Sequence, residues 1–233
     1  MSLAVGDVRP SGALGLQVIR GKPTDRELTY AEIRHYGRPG RGLTDEVNAW
    51  RAANWPNLLR GLKKIVPARA LKIPHFYGAL WLEIHRGDGT LVDYGLASLR
   101  LVTTVGVKYI CDDLNAGGTD VSNLKFHGFG TGTTAEAVGD SALVTELTTQ
   151  YAVDSTRPTG SQASATVSTN ATYTTVATLS PDSGGTIAIT EHGIFSASAA
   201  GTLLDRSVFS AVNLVAGSDS LQATYVFTAN SGG

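Results

Sequence analysis

The chain has 233 residues, 42% of them apolar and 17% charged, a balance that supports a buried core and excludes a solvated, disordered chain. It contains no run of 18 apolar residues, so no helical membrane span is expected, and its single cysteine, Cys111, excludes an intrachain disulfide and a cysteine-built zinc site. The net charge of −1 conceals a division: residues 1–86 hold 14 Lys and Arg against 7 Asp and Glu, whereas residues 87–233 hold 5 against 13. Such a split places the front of the chain against something acidic.

Residues Met1–Asp7 lack the basic and apolar regions of a signal peptide, so synthesis and assembly in a cytoplasm are expected. Glycine and proline recur through residues 1–43, which reads as the start of a basic arm, residues 1–76, ordered by a partner. Within it Leu28, Ala31 and Ile33 fit a short helix or a strand equally. Thr44 is an N-cap, with Asp45 and Glu46 in the first turn; Pro56 separates two predicted helices, 45–54 and 56–65. Trp50, Trp55, Leu58, Leu59 and Leu62 are the candidate apolar anchors of this arm. Arg51, Arg60 and Lys63, with Lys64, Arg69 and Lys72, are its candidate contacts to an acidic partner; the plainer reading of these cations is a solvated helix face.

From Tyr77 the period becomes two, and a second domain, residues 77–233, is expected. Leu80, Leu82 and Ile84 alternate with Trp81, Glu83 and His85 into the Asp88-Gly89 hairpin, and Thr90–Arg100 returns as a strand. The hairpin also accounts for the Arg86-Gly87-Asp88 tripeptide without an adhesive role. Leu101–Cys111 reads as further strand with a bend at Gly106, and Cys111 as a buried apolar residue. Asp112–Asp120 is a loop without EF-hand spacing. Val121–Phe129 is a strand, and Asp140 caps a predicted helix through Ser141, Leu143, Val144 and Leu147. Beyond it, Thr172–Leu179, Thr186–Thr190, Gly193–Phe195, Leu203–Phe209 and Leu221–Thr228 are short strands, with a turn at Pro181–Gly185. The expected fold is mainly β: an antiparallel, jelly-roll-like sandwich behind a partly helical arm.

Chemistry-bearing motifs are absent. Gly128, Gly130 and Gly132 form G-x-G-x-G with no following lysine, so a phosphate loop fails and the glycines read as a structural turn needing positive φ. The histidines, His35, His75, His85, His127 and His192, are scattered, and no G-x-S-x-G elbow occurs. Neither a catalytic site nor a cofactor is expected. With aromatics at 7%, stacking platforms for nucleic acid are not expected either.

The run from Phe129 to Leu143, with Ile189–Phe195, Gly201–Phe209 and Gly217–Tyr225, resembles in residues and order a module found in structural proteins of tailed-phage virions. Glu136 stands where that module commonly has proline. The resemblance covers about residues 121–233. It implies a non-enzymatic virion protein, most simply a capsid decoration, cement or head-fibre protein, with a tail, baseplate or glycan-binding tail-fibre component as the alternative. The implied partners are the major capsid protein or other virion proteins, together with further copies of the chain, a trimer being favoured.

Overall fold

The computed structural model describes residues 22–115, 120–151, 155–167 and 170–232. Residues 1–21 of the expected arm and part of the Asp112–Asp120 loop lie outside these. Among the described residues the helices are α1 (Tyr30–Gly37), α2 (Asp45–Ala70) and α3 (Thr104–Leu114), with one 3-10 turn at Val121–Asn123. The strands are β1 (His75–His85), β2 (Leu91–Leu101), β3 (Phe126–Gly130), β4 (Ser161–Val167), β5 (Asn170–Leu179), β6 (Thr186–Phe195), β7 (Leu203–Val215) and β8 (Ser220–Asn230). They form two antiparallel sheets, β2-β1-β8-β5-β4 and β3-β6-β7, so the fold is mainly β.

One apolar cluster draws on both sheets: Leu80, Leu82 and Ile84 of β1, Leu179 of β5 and Leu221 of β8 pack with Phe129, Ile189, Phe209 and Val212. The opposite face of the five-stranded sheet is covered by the helices, as Ile33, Leu58 and Ile65 pack on Tyr77, Ala79, Trp81 and Val226. Residues 22–76 are thus largely built into this body, which corrects the reading of a separate arm.

Local chemistry explains the helices. Thr29 and Glu32 form a reciprocal capping box (Glu32 N–H to Thr29 Oγ1, 3.2 Å; Thr29 N–H to Glu32 Oε2, 2.8 Å), which decides α1 in favour of helix. Thr44 caps α2 as expected, but α2 is one helix of 26 residues, and the predicted break at Pro56 does not occur. An interior proline costs about 3 kcal/mol. Here the buried row Val47, Trp50, Asn54, Leu58, Gly61 and Ile65 holds the helix against the sheets on both sides of it. At Gly61 a Cβ would collide with the Leu99 carbonyl, so glycine sets how closely α2 lies on β2.

Three further expectations are corrected. Residues 104–114 are helix α3, because the Thr103 hydroxyl caps Gly106 N–H at 3.0 Å and the inward residues, Val105, Gly106, Tyr109 and Ile110, recur at helical spacing. Cys111 is exposed on that helix. No helix follows Asp140: the chain instead lies beside β3, with Leu147 N–H to Phe129 O and Thr131 N–H to Thr145 O, both 2.9 Å.

Side chains, with one backbone N–H, close the sheet edges. Along β7, Thr103 N–H reaches Leu204 O, Arg100 Nη2 reaches Val208 O, Trp50 Nε1 reaches Ser210 O and Arg86 Nη1 reaches Asn213 O, all at 2.8–2.9 Å. Asn54 joins both sheets by donating to Ala97 O of β2 at 2.8 Å and accepting from Ser210 N–H of β7 at 2.9 Å. Arg51 Nε donates to Tyr94 O of β2 at 2.9 Å.

Candidate functional site

The glycine segment is where the sequence is most distinctive, and the structure gives it a different role from the one expected. Gly128 and Gly130 lie in β3 and Gly132 just beyond it, and none has positive φ. The turn reading is therefore corrected to one of close approach. A Cβ at Gly128 would lie 2.6 Å from the Phe195 ring; one at Gly130 would overlap Thr145 O and lie 2.6 Å from Glu191 Oε1; one at Gly132 would lie 2.5 Å from the same oxygen.

The object that Gly130 and Gly132 approach is the Glu191 carboxylate, fully buried on β6. It accepts N–H groups from Gly132 at 3.1 Å, Val144 at 3.1 Å and Thr145 at 2.7 Å, and pairs with Arg206 Nη2 at 2.8 Å. Arg206 continues to Asp140 at 3.1 Å and to Thr134 O at 3.0 Å. One buried ion pair thus fastens both ends of the 131–145 loop to the three-stranded sheet. The loop is also held on its other side, where Glu136 pairs with buried Arg100 at 3.1 Å and with Arg60 at 3.4 Å. Burial pulls the Arg100 guanidinium down to about 10.

Beside this network His127 Nδ1 and His192 Nε2 are 3.0 Å apart, with His127 Nε2 3.1 Å from Thr175 Oγ1. Burial lowers His127 to about 3, and burial with its neighbour's charge lowers His192 well below the usual range, so both rings are neutral. Burial pushes the Asp205 carboxyl up to about 7, against Arg100, Tyr225 and Ser207, which favour its charged form. These groups are enclosed between the sheets, each at 2% exposure or less. Among the described residues, no group of three or more His, Cys, Asp or Glu is placed to hold a metal. Asp112 and Asp113 end α3, and Asp120 caps the 3-10 turn through Ser122 N–H at 2.9 Å.

The candidate anchors of α2 separate into two groups. Trp50, Arg51 and Leu58 are buried inside this chain, which corrects their reading as partner contacts: an amphipathic helix buries its large apolar face on the nearest sheet. Trp55, Leu59 and Leu62 are half-buried, Arg60 is paired to Glu136, and Lys63 is exposed beside Lys64. The Arg86-Gly87-Asp88 hairpin is likewise engaged within the chain, Arg86 pairing with Asp219 at 2.9 Å and Glu46 at 2.8 Å.

A cavity of about 430 Å³ opens between Glu27, Tyr30, Arg69, Lys72 and Asn230. Two of its charged groups pair with each other, Arg69 Nε lying 2.6 Å from Glu27 Oε1, and Asn230 Nδ2 donates to Glu27 Oε2 at 2.8 Å.

What remains for an outside partner is the distribution of exposed charge. Arg34, Arg38, Arg41, Lys63 and Lys64 are exposed on or beside α1 and α2. Of the five cations in residues 87–233, Arg100, Arg157 and Arg206 are buried, at 1%, 8% and 2% exposure, and Lys108 is paired with Asp112. The helical layer therefore carries most of the free positive charge, and the strands beyond it are neutral or acidic. Comparisons with protein-family models, curated proteins and solved structures each found no match.

Sequence reasoning missed Asn54, Arg100, Glu191 and Arg206. A signal for the last three exists: lone charged residues inside otherwise apolar strands of a cation-poor segment mark buried pairs.

Proposed function

We propose that this chain is a non-enzymatic structural protein of a tailed-phage virion, capsid-associated as a decoration, cement or head-fibre protein. Its cationic helical layer lies on the shell, and its β module, a jelly-roll-like sandwich, projects outward. The observation that carries this reading is the segregation of charge: exposed arginine and lysine concentrate on α1 and α2, while the arginines of the β module are consumed internally. A surface of one sign steers and registers docking on an acidic partner. The resemblance of residues 121–233 to phage virion modules supplies the kind of partner. The enclosure of the titratable groups between the sheets favours binding over catalysis.

The test is co-sedimentation of the purified chain with virus particles that lack it, comparing wild type with Arg34→Glu, Arg38→Glu, Lys63→Glu and Lys64→Glu combined. These side chains are exposed, so folding should persist while shell affinity falls about a hundredfold and loses its salt dependence. Unchanged binding by a folded variant, or antibody labelling of the tail in place of the head, would overturn the reading.

A further inference from the structure

β4 stands apart from the other strands at the sheet margins. The edges of β2 and β7 are closed by side chains, and that of β3 by the chain around Thr145 and Leu147 and by Pro158 O, which accepts His127 N–H at 2.9 Å. Among the described residues nothing hydrogen-bonds to the backbone on the outer edge of β4. The strand is also exposed on both faces, with only Ala165 half-buried, so burial in its own chain does not account for its order.

Its sequence, Ser161-Gln162-Ala163-Ser164-Ala165-Thr166-Val167, has none of the devices that protect a free edge. There is no lysine, no other charge and no proline, and the pairing with β5 runs the full strand without a bulge. Such an edge presents a regular row of backbone donors and acceptors with small side chains beside it.

We propose that β4 pairs antiparallel with β4 of a second copy of this chain, joining two five-stranded sheets into one. A second copy fits better than another partner for two reasons. The edge carries neither charge nor a side-chain pocket with which to select a foreign strand, yet it is free of the like charges that would repel its own kind. The two-fold axis relating antiparallel neighbours is perpendicular to the sheet, so α1 and α2 of both copies face the same side. Two cationic layers then meet one surface together, which multiplies a weak contact. That last point rests on the proposed shell binding; the pairing itself does not. The resulting symmetry is two-fold, where the sequence reading favoured a trimer.

The experiment uses the purified full chain, free of particles, so its outcome is independent of shell binding. In a Cys111→Ser background, cysteine is placed in turn at Ala163, Ser164 and Ala165, all non-core positions. Cross-strand partners at a two-fold axis lie about 5 Å apart, within disulfide reach. At least one variant should give a covalent dimer on mild oxidation, and sedimentation of the wild type should show a monomer–dimer equilibrium. Ala163→Lys with Ala165→Lys should weaken that equilibrium about tenfold or more with the unfolding midpoint unchanged. A wild type that is monomeric at every concentration, a trimer, or a dimer that neither cross-links at these positions nor responds to the lysines would each overturn the proposal.

Discussion

Glu191 and Arg206 face each other across β6 and β7 as a completely enclosed ion pair, and the carboxylate also accepts three backbone N–H groups from the 131–145 loop. The start of the loop is held by charge rather than by an apolar face, since Thr131, Thr133, Thr134 and Ala135 are all exposed; towards its far end Leu143 packs on Phe195 and Leu203. Removing one partner of a buried pair costs about 3–5 kcal/mol, since the other is left charged without solvent. Arg206→Met should therefore lower stability in urea unfolding by about that amount. The double variant Glu191→Leu, Arg206→Met should recover only part of the loss, because Gly132, Val144 and Thr145 N–H remain without their acceptor. Full recovery would show that the loop does not depend on the carboxylate.

The glycines at the end of β3 and just beyond it should respond to any side chain, however small. Gly130→Ala places a methyl against Thr145 O and Glu191, and Gly132→Ala places one against the same carboxylate. Each should destabilise by about 1–3 kcal/mol, the range of overpacking. Gly139→Ala is the control, as a Cβ there meets nothing within 4 Å and the backbone is not left-handed. Thermal unfolding of the three variants checks the ordering, with only Gly139→Ala near wild type.

Acid should act through the histidine pair. The unfolded rings protonate near pH 6.5, whereas folded His127 does so only at about 3 and His192 well below its usual value. Below about pH 6.5 the unfolded chain thus binds more protons, and stability falls as pH drops. Asp205 opposes this: its folded value of about 7 exceeds the unfolded 3.8, so its contribution declines as pH rises between them. Urea midpoints of wild type should fall from pH 7 to pH 5. In His127→Gln, His192→Gln the fall should shrink or reverse, because the Asp205 trend is then opposed by one lowered histidine, His35, in place of three.

Asn54 should matter more than its size indicates. Asn54→Leu keeps the volume but leaves Ala97 O and Ser210 N–H unpaired between the two sheets. A loss of about 2–4 kcal/mol in chemical denaturation is expected from two orphaned buried groups. A change below about 0.5 kcal/mol would mean that water replaces the amide.

Much of this fold was legible wherever the period was long and the punctuation chemical. The Asp88-Gly89 hairpin, the Thr44 cap and the later strands lie where the residues placed them, although Thr186–Thr190 and Gly193–Phe195 run together as β6. Short apolar runs rich in valine misled, as at α3, because β-branched residues fit both periods until a cap such as Thr103 decides. The helix expected after Asp140 failed for a different reason. Its N–H groups were claimed by Glu191, 46 and 47 residues away in sequence.

By itself the sequence determined the alternation that makes two antiparallel sheets, the punctuation between strands, and the imbalance of charge between front and back. Those properties are local or additive, and each residue carries its share wherever the chain goes. Only the tertiary structure decided that α2 runs through Pro56, that Trp50 and Arg51 face inward, and that the β3 glycines make room for a carboxylate. These outcomes depend on surfaces brought together from distant parts of the chain, where the packing of a whole helix outweighs one missing hydrogen bond and a buried charge decides which backbone it holds.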